Sequence, residues 1–179
     1  VSAVRRADNF SNWVIYRYSD VLLMKAEALI QQGKTMVNDT VAPATTMKPY
    51  MQSAFRLVSA VYNRSNNLTN LSTDTLKYAD YAATVATMED LVLNERQREL
   101  MFEGKRWFDL VRMARRQGNN DALITHVIKK QKSNTNAIRI KLGTADGLYF
   151  PYSENELKLN PELKQNPAYD NDKSSTISE

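Results

Sequence analysis

The run Asn94-Glu95-Arg96-Gln97-Arg98-Glu99-Leu100-Met101-Phe102-Glu103-Gly104-Lys105-Arg106-Trp107-Phe108-Asp109-Leu110 is where this 179-residue chain gathers the groups best able to do chemistry. Read as helix, it spaces Glu95, Glu99 and Glu103 at i,i+4 and sets three carboxylates along one side. Aligned carboxylates are the equipment of a glycosidase, which holds its pair about 5–5.5 Å apart to retain configuration or about 6.5–9.5 Å apart to invert it. The same reading gives every acid a cation at i,i+3 or i,i+4. Arg98 reaches Glu95, Arg96 reaches Glu99, Arg106 reaches Glu103, and Lys105 and Arg112 both reach Asp109. An arginine at that range lowers a carboxyl's pKa and spoils it as a general acid. The run therefore reads as an ion-paired helix that fixes packing register.

Other chemistries lack their groups. Glu-x-x-Arg occurs at Glu95/Arg98 and Glu103/Arg106, as it does in cytochromes P450, but there is no cysteine to ligate haem. Zero cysteine also removes disulfides, thiolate nucleophiles, cysteine zinc sites and iron–sulfur clusters. The lone histidine, His126, reads as an ordinary helical or surface residue, so no metal site is expected. Asp170-Asn171-Asp172 carries calcium-type oxygens, yet reads as part of a polar tail. No phosphate loop, dinucleotide fingerprint or Gly-x-Ser-x-Gly elbow is present, so no catalytic residue and no cofactor is assigned. The net charge of +4 is mild. Arg5-Arg6, Arg115-Arg116 and Lys129-Lys130 are scattered among acids, whereas nucleic-acid binding needs a concentrated basic patch.

Aromatic rings remain as binding equipment, since sugars stack on exposed Trp and Tyr faces. Trp107 and Phe108, inside the helical run, read as core. Trp13, Tyr78 and Tyr81 lie in irregular or marginally helical stretches and are the candidate ligand contacts.

The elements that must position these groups are helices. Only 5 Gly and 5 Pro favour long helices over a turn-dense sandwich. Tyr18, Val21, Leu22, Ala26 and Leu29 predict a helix over 15–32 that Gly33 stops, followed by a loop over 34–46. Met51, Phe55, Val58 and Tyr62 predict a second helix over 49–62, entered through Pro49. The two form an antiparallel pair that needs further helices to complete a core. Residues 63–84 read as an Asn/Ser/Thr-rich loop with a turn near 76–81. One long helix is expected over 87–117, capped by Thr87, stopped by Gly118, with Gly104 as a kink or a close-packing point. A short helix follows over 121–132. Ala137–Leu142, with isoleucines alternating with basic residues, reads as a short edge strand. Leu148–Tyr152 is extended ahead of Pro151, and Ser153-x-x-Glu156 has the form of a capping box opening a turn through Leu159. The fold class is all-α with irregular loops, one domain over 1–179, with 170–179 a disordered tail. No run approaches the ~18–20 apolar residues of a membrane span. With no basic-then-apolar leader, Val1 is expected to be an internal start, in a fragment of a longer protein.

Three segments, in order, carry a resemblance. Tyr16-Arg17-Tyr18-Ser19-Asp20-Val21-Leu22-Leu23-Met24-Lys25-Ala26-Glu27-Ala28-Leu29 is similar to the "RYADVLLMYAEAL" helix of the SusD/RagB family. Glu95 to Arg112 resembles that family's "ERRRELAFEGHRWFDLRR". Tyr149-Phe150-Pro151-Tyr152-Ser153-Glu154-Asn155-Glu156-Leu157, continuing through Asn160 to Gln165-Asn166-Pro167-Ala168-Tyr169, resembles its "YPIPQSELDLNPNLTQNPGY". Lys105, Tyr152 and Ala168 replace the usual histidine, isoleucine and glycine, which bears on local packing.

The resemblance implies tetratricopeptide-like helix pairs and a non-catalytic lipoprotein on the extracellular face of the outer membrane. A polysaccharide or oligosaccharide would be the ligand and a SusC-like TonB-dependent transporter the partner. It implies no nucleic acid, and membrane contact only through an N-terminal lipid anchor absent from this chain. The alternative expectation is a helical-repeat scaffold that contacts a protein partner and has no ligand site of its own here.

Overall fold

A computed structural model describes residues 14–39, 47–66, 71–131 and 133–170. Among them the backbone is helical or irregular, with no strand, which agrees with the all-α expectation. The chain divides into two compact units, the first ending at Arg106 and the second beginning at Trp107.

The first unit is built on α1 (Tyr18–Asp39), α2 (Lys48–Ser65) and α5 (Val85–Glu99), with short turns α3 (Leu71–Asp74) and α4 (Tyr78–Tyr81) between the last two. Its core is read directly from helical spacing. Leu23, Ala26 and Ile30 of α1 are fully buried against Met51, Ala54, Val58 and Val61 of α2 and Met88, Leu91 and Val92 of α5. The steps are three or four residues, apart from the adjacent Leu91 and Val92, so one stripe per helix faces inward.

Gly33 does not stop α1, which runs on to Asp39, so the first part of the expected 34–46 loop is helix. The residue serves a different purpose. A Cβ on Gly33 would lie 3.0 Å from Tyr50 Cβ, so the missing side chain lets the end of α1 approach the start of α2. Helix α5 begins two residues before the expected start, with Thr84 as its cap. Thr84 Oγ1 accepts from Thr87 N at 3.1 Å, and Thr87 Oγ1 accepts from Thr84 N at 3.2 Å, a reciprocal box built from two threonines.

The long helix expected over 87–117 is two helices. After α5 ends at Glu99, Phe102 and Gly104 take left-handed φ of 68° and 71°, and α6 (Arg106–Gln117) starts afresh. Two left-handed residues so close together break a helix instead of kinking it. Gly118 ends α6 as expected, at φ 70°.

In the second unit α6 is followed by α7 (Asp121–Ile128), α8 (Thr135–Leu142), a 3₁₀ turn at Asp146–Leu148, α9 (Glu154–Leu159) and a 3₁₀ turn at Pro167–Tyr169. The expected strand over 137–142 is therefore a helix. Ile138 and Leu142, four apart, are drawn inward while Ile140 is exposed, a helical separation that an alternating strand would not make. No neighbouring strand exists among the described residues to satisfy an extended edge. Ser153 caps α9 without the expected box: its Oγ accepts from Asn155 N, at the second helical position, at 3.3 Å.

Candidate functional site

The acidic run folds into a clamp, and its partners come from far away in sequence. Asp20 lies in the first turn of α1, where the helix dipole favours an anion, and it is fully buried. Its Oδ1 accepts from Arg96 Nη1 of α5 at 2.8 Å, and its Oδ2 accepts from Lys105 Nζ in the turn between α5 and α6. Three residues earlier, Arg17 donates from Nε to Glu103 Oε1 at 2.7 Å and from Nη1 to Ser19 Oγ at 2.9 Å. The same guanidinium bonds both the Glu99 carboxylate and the Glu99 carbonyl. Glu99 further accepts from Arg64 and from Ser65 Oγ, the latter at 2.8 Å. The start of α1 is thus pinned to the end of α5 and to the turn behind it.

Two of the local pairs form as the spacing predicts. Glu95 takes Arg98, and Asp109 takes Arg112 at 3.1 Å. The others change hands. Arg96 goes to Asp20, Lys105 goes to Asp20 and stands 3.6 Å from Glu103, and Arg106 donates to the Leu93 carbonyl at 3.0 Å. Glu103 falls outside α5, so the row of three carboxylates does not exist.

Burial pushes the Glu99 carboxyl up, but hydrogen bonds from Arg17, Ser19 and Ser65, with the charge of Arg17, outweigh it and hold it at about 2. Asp20 behaves likewise. Burial raises it, while hydrogen bonds from Lys105 and Arg96 and their charges bring it below the ordinary carboxylate value. Both groups are anions throughout the neutral range and have no proton to give. No cluster of metal-ligating side chains is present among the described residues.

Of the three aromatic candidates, Trp13 lies outside the described residues, as do Asn171 and Asp172 of the acidic tail. Tyr78 and Tyr81 are brought together on α4. Both pack half-buried on Phe55 of α2, Tyr78 edge-on with ring centroids 5.4 Å apart and Tyr81 tilted at 6.3 Å. Tyr78 also lines an open, largely apolar groove of about 740 Å³ with Met47, Met51 and Val85, at whose wall Lys48 is the charged residue. That volume lies within the range of small-molecule sites. Tyr81 does not line it. Phe108 corrects the sequence reading: it is 64 % exposed instead of core, while its neighbour Trp107 is half-buried and donates Nε1–H to the Leu148 carbonyl at 3.1 Å.

The segments that meet in the clamp, Tyr16 to Leu29 and Glu95 to Arg106, are also those of the family resemblance, and a family model described as the SusD family matches residues 3–169. The chain belongs to the SusD family. The SusD-like protein P38 of Formosa agariphila is 28% identical over 159 residues, which are 89% of this chain and 25% of that protein. The SusD-family chain spans about a quarter of the length of the curated relative it matches. No solved structure matches it. Within this SusD-family chain the residues that sequence reasoning missed are Arg17, Arg64 and Ser65, the distant partners of Glu99. Their signal was faint: an arginine just ahead of a helix, and another at a helix end.

Proposed function

We propose that the chain is part of a non-catalytic binder that captures a polysaccharide or oligosaccharide at the cell surface. In this reading it hands the ligand to a SusC-like TonB-dependent transporter, from a lipid-anchored position on the outer face of the outer membrane. The observation that carries the proposal is the family match over residues 3–169. The clamp supports the non-catalytic part, because Glu95, Glu99 and Asp20, the acids that look most enzymatic, are all tied to cations. The groove lined by Tyr78 is the proposed ligand contact of the first unit, with an aromatic wall for the apolar face of a sugar. Tyr81 then acts as its packing support.

Calorimetric titration of the protein against a panel of polysaccharides and peptides tests this reading. Heat with at least one glycan and no reducing ends released is the expected result. Flat traces across the whole panel, or turnover of a chromogenic glycoside, would contradict it.

A second reading, a scaffold contacting a protein, is favoured by one surface. Val14, Ile15, Tyr16, Tyr18 and Val21 form a run of exposed large apolar side chains at and before the start of α1. Five exposed large apolar side chains within eight residues exceed the scattered apolar residues of an ordinary surface. Under this reading Tyr18→Ser with Val21→Ser weakens transporter co-purification while glycan heats stay unchanged.

A further inference from the structure

The second unit contains a cleft of about 430 Å³ whose wall is Phe108, Val111, Arg112, Arg115, Arg116 and Tyr149, three guanidinium groups and two aromatic rings with no acid among them. The rings are presented outward: Phe108 is 64 % and Tyr149 45 % exposed. Arg115 lies over the Tyr149 ring at 5.8 Å and, among the described residues, makes no ion pair. Arg112, by contrast, is shared with Asp109.

Tyr149 is held from both sides. Its N–H donates to the Asp146 carbonyl at 3.1 Å, and its own carbonyl accepts from Asn166 Nδ2 at 3.2 Å. The same residue forms a wall of a neighbouring hollow of about 440 Å³, shared with Trp107, Phe150 and Tyr169. There Lys141 Nζ sits 3.7 Å from the Tyr169 ring centre. Two hollows therefore share Tyr149, and each pairs an aromatic face with a cation.

We propose that this surface is a binding site for an anionic oligosaccharide, one carrying carboxylate or sulfate on successive residues. This inference rests on the glycan-binding reading above and names the ligand class. A sugar ring offers an apolar C–H face that lies on Tyr149 or Phe108, and its acid group is met by the planar fork of Arg115, which matches carboxylate and sulfate oxygens two at a time. A neutral glycan would leave the Arg115 fork unused. A nucleic acid would demand a longer basic stripe than these paired hollows provide.

The test is calorimetric titration of the intact protein with an oligogalacturonate hexamer, a sulfated oligosaccharide of the same length, neutral maltohexaose and polyglutamate, at low and at high salt. At least one acidic glycan is expected to bind about tenfold or more tighter than maltohexaose, with the advantage shrinking at high salt. Arg115→Gln is expected to remove about tenfold of that affinity and leave maltohexaose unaffected. Tyr149→Ala should weaken the acidic glycan to a similar extent, with thermal melting confirming that it is folded. Lys25→Gln, on the exposed face of α1, should change nothing. Equal affinity for neutral and acidic glycans, or full affinity in Arg115→Gln, overturns the proposal while leaving the glycan-binding reading intact. Binding of polyglutamate alone overturns both.

Discussion

The clamp of the first unit and the cleft of the second use the same side chains to opposite ends. In both, cations stand near tyrosine rings: Lys105 is 5.1 Å from Tyr16 and Arg98 5.8 Å from Tyr62 in one, Arg115 5.8 Å from Tyr149 in the other. They differ in where the counter-charge comes from. In the clamp the chain supplies it, as Asp20, Glu99 and Glu103, with the Asp20–Arg96 pair buried. In the cleft Arg112 is held by Asp109, but Arg115 makes no ion pair among the described residues, and in the proposed reading its complementary charge comes from a ligand. Composition alone does not separate a structural cation from a recognising one. The location of its carboxylate does.

The largest effect is expected at Asp20. Asp20→Asn removes the buried anion shared by Arg96 and Lys105 and is expected to cost about 3–5 kcal/mol, read from urea unfolding. A loss under 1 kcal/mol would mean the clamp is not structural. Glu99 is next in size. Its folded pKa of about 2 lies below the ordinary 4.5, so its stabilisation is complete above pH 4.5 and is lost as the pH falls towards 2. Glu99→Gln should lower the melting temperature at neutral pH and flatten the acid limb between those values. An unchanged acid limb would place the titrating group elsewhere.

Phe102 gives a smaller effect of opposite sign. It holds φ 68° with its side chain 96 % exposed, so Phe102→Gly relieves backbone strain without removing packing. A gain of roughly 0.5–1 kcal/mol is expected from the midpoint of denaturant unfolding. Smallest of all is Arg115→Gln, which should shift stability by less than about 0.5 kcal/mol, because an exposed cation with no ion pair among the described residues holds little of the fold together. A larger loss would make the cleft a second clamp.

Much of this architecture is legible along the chain, for identifiable reasons. Helices α1, α2 and α5 follow from spacings of three and four, and Glu95–Arg98 and Asp109–Arg112 are found because both partners sit one turn apart. The rule that finds them cannot see Asp20–Arg96 or Arg17–Glu99, which are 76 and 82 residues apart. Local pairing therefore assigned Arg96 and Lys105 to nearer acids than those they hold. Gly104 was readable as an irregularity, but the break also needs Phe102 to turn left-handed, and nothing in a phenylalanine announces that. Isoleucines alternating with basic residues in Thr135–Leu142 imitate a strand until Ile140 is found exposed between an inward Ile138 and Leu142. The cleft stayed hidden because Trp107-Phe108 resembles a core pair, and a helix shows which of two adjacent rings is turned outward only once folded.

The charged clamp segments are expected to hold the fold and to leave the ligand to other residues. Glu99→Gln protein, titrated calorimetrically with the glycan bound by the unaltered protein and melted from the same sample, tests it most directly. A lowered melting temperature with affinity unchanged within twofold is the expected result. Affinity lost with the melting temperature unchanged would put Glu99 in the binding site and contradict the claim.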